Sequence, residues 1–196
     1  MLASIHPLGE RGRRQRWGVT VGSYLVASVA SAAALGAALG LAGAALGAPG
    51  RWAALVFVAL AVLGAALDTG VGGLHPPTVH RQVNELWLDR YRGWVYGSGF
   101  GAQLGLGVVT IVSTSAVYLA LAAALLSGSA IGGLAIGTAF GAVRGALVLA
   151  GAGVRGPDQL HRLHLRLQSW SGPAHRLAIG TQASAAAVVG VALIAA

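Results

Sequence analysis

The chain has 196 residues, 56% hydrophobic and 9% charged, and its 13 basic residues, all Arg, outnumber 5 acidic ones to leave a net charge of +8. A mean hydropathy of +0.72 lies outside the range of soluble globular domains, and the absence of cysteine excludes disulfides, thiolate metal sites and dithiol redox chemistry at the chain's own residues. Positive charge in a soluble chain would point to nucleic acid; in so apolar a chain membrane topology accounts for it, and no nucleic-acid partner is expected.

Arg11, Arg13, Arg14 and Arg16 precede an uncharged run over residues 17–50. About 20 apolar residues suffice to cross the roughly 30 Å hydrocarbon layer as a helix, whereas the core of a cleaved signal peptide spans about 7–15 residues. The run therefore reads as a retained first helix over 18–47, tilted or partly interfacial. A second, shorter helix is expected over 51–70, its uncharged part ending at Asp68. Residues 93–143 form another uncharged stretch, too long for one crossing and interrupted by Ser127-Gly128-Ser129, which predicts helices over 97–126 and 130–152 joined by a tight turn. A last helix covers 177–196.

The expected fold is all-α: a polytopic helical bundle in one membrane domain over 1–196, with about five transmembrane helices and two interfacial amphipathic helices. Arg11, Arg13, Arg14, Arg16, Arg81, Arg90, Arg92, Arg155, Arg162, Arg166 and Arg176 fall on one side of that topology and Arg51 on the other. The positive-inside rule then places the N-terminus and the loops 71–96 and 153–176 in the cytoplasm and the C-terminus outside, in a bacterial inner membrane. Val79, Val83, Leu86, Trp87 and Tyr91 share one helical face in the first loop, and Leu160, Leu163, Leu167 and Trp170 in the second. Helices of this kind lie in the headgroup layer, so the lipid bilayer is the first expected partner. Gly-Ser-Tyr-Leu at 22–25 and Gly-Ala-Gln-Leu at 101–104, with Gly180-Thr181-Gln182, hint at a repeat of roughly 80 residues.

Glycine recurs every fourth residue at Gly93, Gly97, Gly101 and Gly105, again at Gly133, Gly137, Gly141 and Gly145, and less regularly at Gly36, Gly40, Gly43 and Gly47. Such faces let helices approach to backbone contact, within one chain or between copies, so a homo-oligomer or a membrane-protein partner stays open. Gln103, Gly107, Thr110, Thr114 and Tyr118 form a polar stripe along the predicted third helix, with Ser113 and Ser115 beside it. Turned from lipid, the stripe would line a solute path; alternatively its hydroxyls bond back to their own helix. Gln182 is a candidate for the same part in the last helix.

Asp68 and Arg144 lie within or at the edge of apolar spans, where an ionisable side chain marks a functional site by default. Arg144 either snorkels to the headgroups or turns inward to Asp68, a pair able to bind an anion or gate a path. His6, His75, His80, His161, His164 and His175 are read as surface or headgroup histidines; His161 and His164 are three residues apart but lack further ligands, so no metal or cofactor is expected. His75-Pro76-Pro77-Thr78 reads as an extended lead-in to the first amphipathic helix, with Thr78 its N-cap. No catalytic motif is present.

The stretch Thr138-Ala139-Phe140-Gly141-Ala142-Val143-Arg144-Gly145-Ala146-Leu147 and the Gly-rich start of the third helix resemble the transmembrane core of the CcdA/DsbD group, over about a quarter of the chain. That group moves reducing equivalents through paired cysteines, which this chain lacks, so the resemblance implies only a compact, duplicated helical scaffold. The sequence thus points to a small permease or exporter with a path at Gln103, Thr110, Thr114, Tyr118, Asp68 and Arg144. It leaves open a non-catalytic membrane subunit that docks partners, and an interfacial enzyme using His75, His80 or His161.

Overall fold

The computed structural model describes residues 5–48, 50–70, 77, 86–108 and 112–195. They form α1 (Pro7–Gly12), α2 (Trp17–Ala45), α3 (Arg51–Asp68), α4 (Trp87–Arg90), α5 (Gly93–Gly105), α6 (Ala116–Leu126), α7 (Ala130–Ala146, extended by a 3-10 segment Leu147–Gly151) and α8 (Pro157–Ala195), with no strand among the described residues. Four of these are long and apolar enough to cross a membrane: α2, α3, α7 with its extension, and α8.

Helix α2 is the central element, and its polarity pattern is inverted relative to a soluble helix. Apart from Val21, its buried residues, Thr20, Tyr24, Ser28, Ala32, Gly36, Gly40 and Gly43, repeat every three or four positions and are mostly small or hydroxylated. Large apolar side chains such as Val26 and Leu41 point outward instead. A helix that hides its small residues and exposes its large ones gains from close backbone packing, and the outward face suits lipid. The Ala-rich composition favours helix throughout. The helix stops where Gly47 takes φ +69° and the Ala48 N–H turns back to the Gly43 carbonyl at 2.8 Å.

Both predicted glycine faces meet α2. Gly97 lies against Thr20 and Ser23, Gly101 against Tyr24 and Gly105 against Ser28 and Ser31, so α5 runs parallel to α2. Gly133 lies against Gly36 and Gly40, Gly137 against Ala32, Gly141 against Ser28 and Val29, and Gly145 against Leu25 and Ser28, so α7 runs antiparallel. Ser28 Oγ donates to the Gly141 carbonyl at 3.1 Å and Ser31 Oγ to the Ala102 carbonyl at 3.1 Å, fixing both registers. Helices α3 and α8 form a second antiparallel pair, with Arg51 near Leu193, Gly64 near Gln182 and Asp68 near His175. Helix α6 touches α2, α3, α7 and α8 and so ties the two groups together.

The structure departs from the sequence expectation in several places. The third helix, expected unbroken over 97–126, is two pieces: α5 ends at Gly105, Gly107 takes φ +77°, and α6 begins at Ala116. Among the described residues of the gap, Val108 and residues 112–115 are β-branched or hydroxylated and of low helix propensity, and they follow Gly107, whose positive φ breaks the helix. The expected turn at Ser127-Gly128-Ser129 does join α6 to α7, with Gly128 at φ +55° and Ser129 Oγ capping the Gly132 N–H.

The second loop helix and the last span are a single helix, α8, of 39 residues, roughly 58 Å long at 1.5 Å per residue. Pro173 falls inside it. The hydrogen bond a proline removes matters least where the freed carbonyl stays in polar surroundings, and residues 169–174 are all exposed. On this helix Leu160, Leu163 and Leu167 are half-buried, turned toward the protein body, while Trp170 is exposed. In the first loop the predicted amphipathic helix falls mainly outside the described residues. Around its described end, α4, Leu88 is buried and Leu86 and Tyr91 are exposed.

Before α2, α1 folds back over the Trp17 end of the bundle. Glu10 is wholly buried there, taking hydrogen bonds from the Tyr96 hydroxyl at 2.6 Å and the Thr20 hydroxyl at 2.6 Å and pairing with Arg13 at 2.9 Å. His6 is also buried, not a surface histidine, and its Nδ1 accepts the Gly9 N–H at 3.0 Å. Burial first, then the neighbouring Arg13, lowers its pKa below the ordinary imidazole value, which keeps the accepting nitrogen unprotonated.

Candidate functional site

The interruption between α5 and α6 lies about halfway along α2, since α5 ends opposite Ser28 and Ser31. Each half-helix turns one end toward it, the carbonyl end of α5 and the N–H end of α6, and so opposite ends of two helix dipoles. The two charged residues singled out in the sequence stand at these ends.

Asp68, buried at the end of α3, faces the start of α6. Its carboxylate accepts the Ser115 N–H through Oδ1 at 2.8 Å and Oδ2 at 3.1 Å, and the Gln182 side-chain N–H from α8 at 2.7 Å. Ser115 Oγ lies 2.8 Å from Asp68 Oδ2, 2.8 Å from the Gly64 carbonyl and 2.9 Å from Gln182 Oε1, so its one proton serves these acceptors in turn. A β-carbon at Gly64 would come within 3.0 Å of both Ser115 and Gln182, so a side chain there would displace the groups that meet where the three helices join. His175 closes the end of α3: its Nε2 is 2.6 Å from the Asp68 carbonyl, which can only accept, so Nε2 carries the proton. This half-buried histidine, too, departs from the expected surface placement.

Arg144, on α7, faces the other half-helix. Its guanidinium reaches the Gly107 carbonyl at 3.4 Å and sits 5.3 Å from the centre of the Phe140 ring. A cation at the carbonyl end of α5 and a carboxylate at the N–H end of α6 are the signs that the two dipoles favour. Asp68 thus takes its hydrogen bonds from Ser115 and Gln182, and the Arg144 guanidinium contacts the Gly107 carbonyl and the Phe140 ring.

Beside the interruption is a cavity of about 860 Å³. Arg144, Thr114 and Ser113 line it together with Tyr24 from α2 and His164 from α8; the rest of its wall is apolar, including Leu104, Val117, Phe140 and Val148. Of the residues predicted to form a path, Thr114 and Arg144 meet here. Gln103 is half-buried on α5 outside the cavity wall, and Tyr118 donates its hydroxyl to the Pro77 carbonyl. Thr110, His75 and His80 lie outside the described residues. Sequence reasoning passed over Glu10, Tyr24 and Ser28; a lone glutamate in an arginine-rich stretch gives no local signal that it is buried.

Several apolar helices of membrane length are compatible with a multi-pass membrane protein. Compared with protein-family models, curated proteins and solved structures, the chain matches none.

Proposed function

We propose that the chain is a small permease or exporter of five crossings in a bacterial inner membrane, in which α5 and α6 together make one interrupted crossing and a small solute enters through the cavity beside the interruption. The observation that carries this reading is the non-helical backbone at mid-bundle, faced by Asp68 and Arg144 and opening on a cavity. At membrane depth such backbone is tolerated where it is enclosed by protein or lines a wet cavity, and half-helix ends are the usual solute and ion sites of transporters. The orientation is supported by charge: Arg11, Arg13, Arg14 and Arg16 precede α2 and Arg90 and Arg92 precede α5, at the end where the two helices run side by side. By the positive-inside rule that end is cytoplasmic.

The second reading is a membrane subunit that docks a partner protein. It is favoured by the first half of α8, where Leu165 and Trp170 are exposed.

Proteoliposomes separate the two. Under rapid exchange to sodium salts of carboxylates, amino acids and phosphate, the permease reading predicts flux for at least one class. It also predicts that Ala139→Trp, which fills the cavity from an exposed position, cuts that flux roughly tenfold, a barrier change of about 1.4 kcal/mol. Flux with none of them, or flux indifferent to Ala139→Trp, counts against it.

A further inference from the structure

From the chemistry of the cavity we infer its ligand class: an amphiphile with one anionic head, a carboxylate foremost, and an unbranched apolar tail. This rests on the reading of the cavity as the solute site and adds the identity of the solute. Among the described lining residues there is one guanidinium, that of Arg144, and no carboxylate. Thr114, Ser113 and the Tyr24 hydroxyl supply neutral hydrogen-bonding groups, His164 adds an imidazole with an N–H donor, and the remaining wall is aliphatic or aromatic. A guanidinium offers five N–H donors in a planar fork matched to a carboxylate, and can engage one while also serving the Gly107 carbonyl. The Phe140 ring, its centre 5.3 Å from the guanidinium carbon, adds a cation–π contact that favours its position. A volume of about 860 Å³ is far larger than a bare inorganic anion needs, and an apolar wall discriminates against a hydrated one. A zwitterion or a cation would set a positive charge beside Arg144 with no acidic side chain among the described lining residues to receive it.

The same chemistry is presented by a free chain carboxylate and by an anionic phospholipid headgroup. Because the chain has no cysteine, Ala139→Cys on the cavity wall makes a single reporter, and Ile131→Cys, 80% exposed on the same helix and outside the wall, a control. The variants are placed in phosphatidylcholine nanodiscs and the maleimide labelling rate is measured with sodium decanoate, decanol or decyltrimethylammonium. Decanoate is expected to slow labelling at residue 139 roughly tenfold when its concentration exceeds its Kd about tenfold. Labelling at residue 131 is expected to stay unchanged, and neither decanol nor the cation to protect. Arg144→Gln, which keeps an amide donor for the Gly107 carbonyl, and Ser113→Glu, which adds a carboxylate at an exposed part of the wall, are both expected to abolish protection. Slow labelling in phosphatidylglycerol nanodiscs without decanoate, lost in the same two variants, supports the inference with lipid as the source. Equal protection by decanol, or protection that survives both variants, overturns it. Labelling does not depend on transport, so protection without flux refutes the permease reading alone, and flux without protection refutes the ligand class alone.

Discussion

Gly137→Ala is expected to push α7 off α2 and lower the melting temperature of the detergent-solubilised protein. A β-carbon at residue 137 would sit closer than 3.0 Å to the Ala32 carbonyl, and a backbone oxygen held in a helix cannot swing aside as a side chain can. Forcing one extra carbon into a closed contact costs about 1–3 kcal/mol, and a chain of this size loses roughly 2–4 °C for each kcal/mol, which gives a fall of about 2–12 °C. Larger residues at the same position are expected to prevent the pair from forming. The control is Gly190→Ala on α8, where no atom lies within 4 Å of the added carbon. There the gain in helix propensity, up to about 1 kcal/mol, is expected to leave stability equal or slightly higher. Equal melting temperatures for the two variants would mean that the close approach of α2 and α7 is not what holds the bundle.

Asp68→Ala is expected to be as damaging, by a different route. It removes the acceptor for the Ser115 N–H and the Gln182 side-chain N–H, both in a buried site. Each orphaned donor costs about 1–3 kcal/mol, so the variant should lose roughly 2–6 kcal/mol. Asp68→Asn keeps one acceptor oxygen and should lose less. Because Asp68 and Gln182 share one network, adding Gln182→Ala to Asp68→Ala should cost less than Gln182→Ala costs by itself, a coupling a double-mutant cycle measures directly. Additive losses would mean that the carboxylate does not join α3, α6 and α8 through these bonds.

The parts of this fold that were legible in the sequence are those governed by length and by glycine. The uncharged run over 17–50 holds α2 (Trp17–Ala45), and Ser127-Gly128-Ser129 forms the turn between α6 and α7 because Gly128 alone there adopts a left-handed backbone at no steric cost. Hydropathy failed where it is blind to backbone propensity. Residues 108–115 are apolar or hydroxylated enough to pass as the middle of a span, yet β-branching and hydroxyl competition for backbone groups disfavour helix there. The second loop helix and the last span, read as separate elements, are continuous, since an exposed proline flanked by long helical segments does not end α8.

The candidate site was legible only in part. Asp68, Arg144, Ser115 and Gln182 stand out as polar residues in apolar surroundings, but their partners depend on the interruption, which an unbroken third helix conceals. Read as neighbours on one helix, Gln103, Thr114 and Tyr118 form a stripe; with α5 and α6 separated, Thr114 alone of the three reaches the cavity. Glu10 was not legible, because its burial follows from α1 folding back onto Thr20 and Tyr96, a tertiary contact that no local pattern encodes.

The most direct test of an interrupted crossing that opens to water is cysteine accessibility at Thr114 in sealed proteoliposomes of known orientation. Thr114→Cys is expected to react with a membrane-impermeant maleimide applied on the side of the N-terminus and not on the other, while Ile131→Cys, on the outward face of α7, reacts far more slowly. A cysteine at residue 114 that stays unreactive from both sides in the folded protein, or one labelled only from the side opposite the N-terminus, would contradict the account.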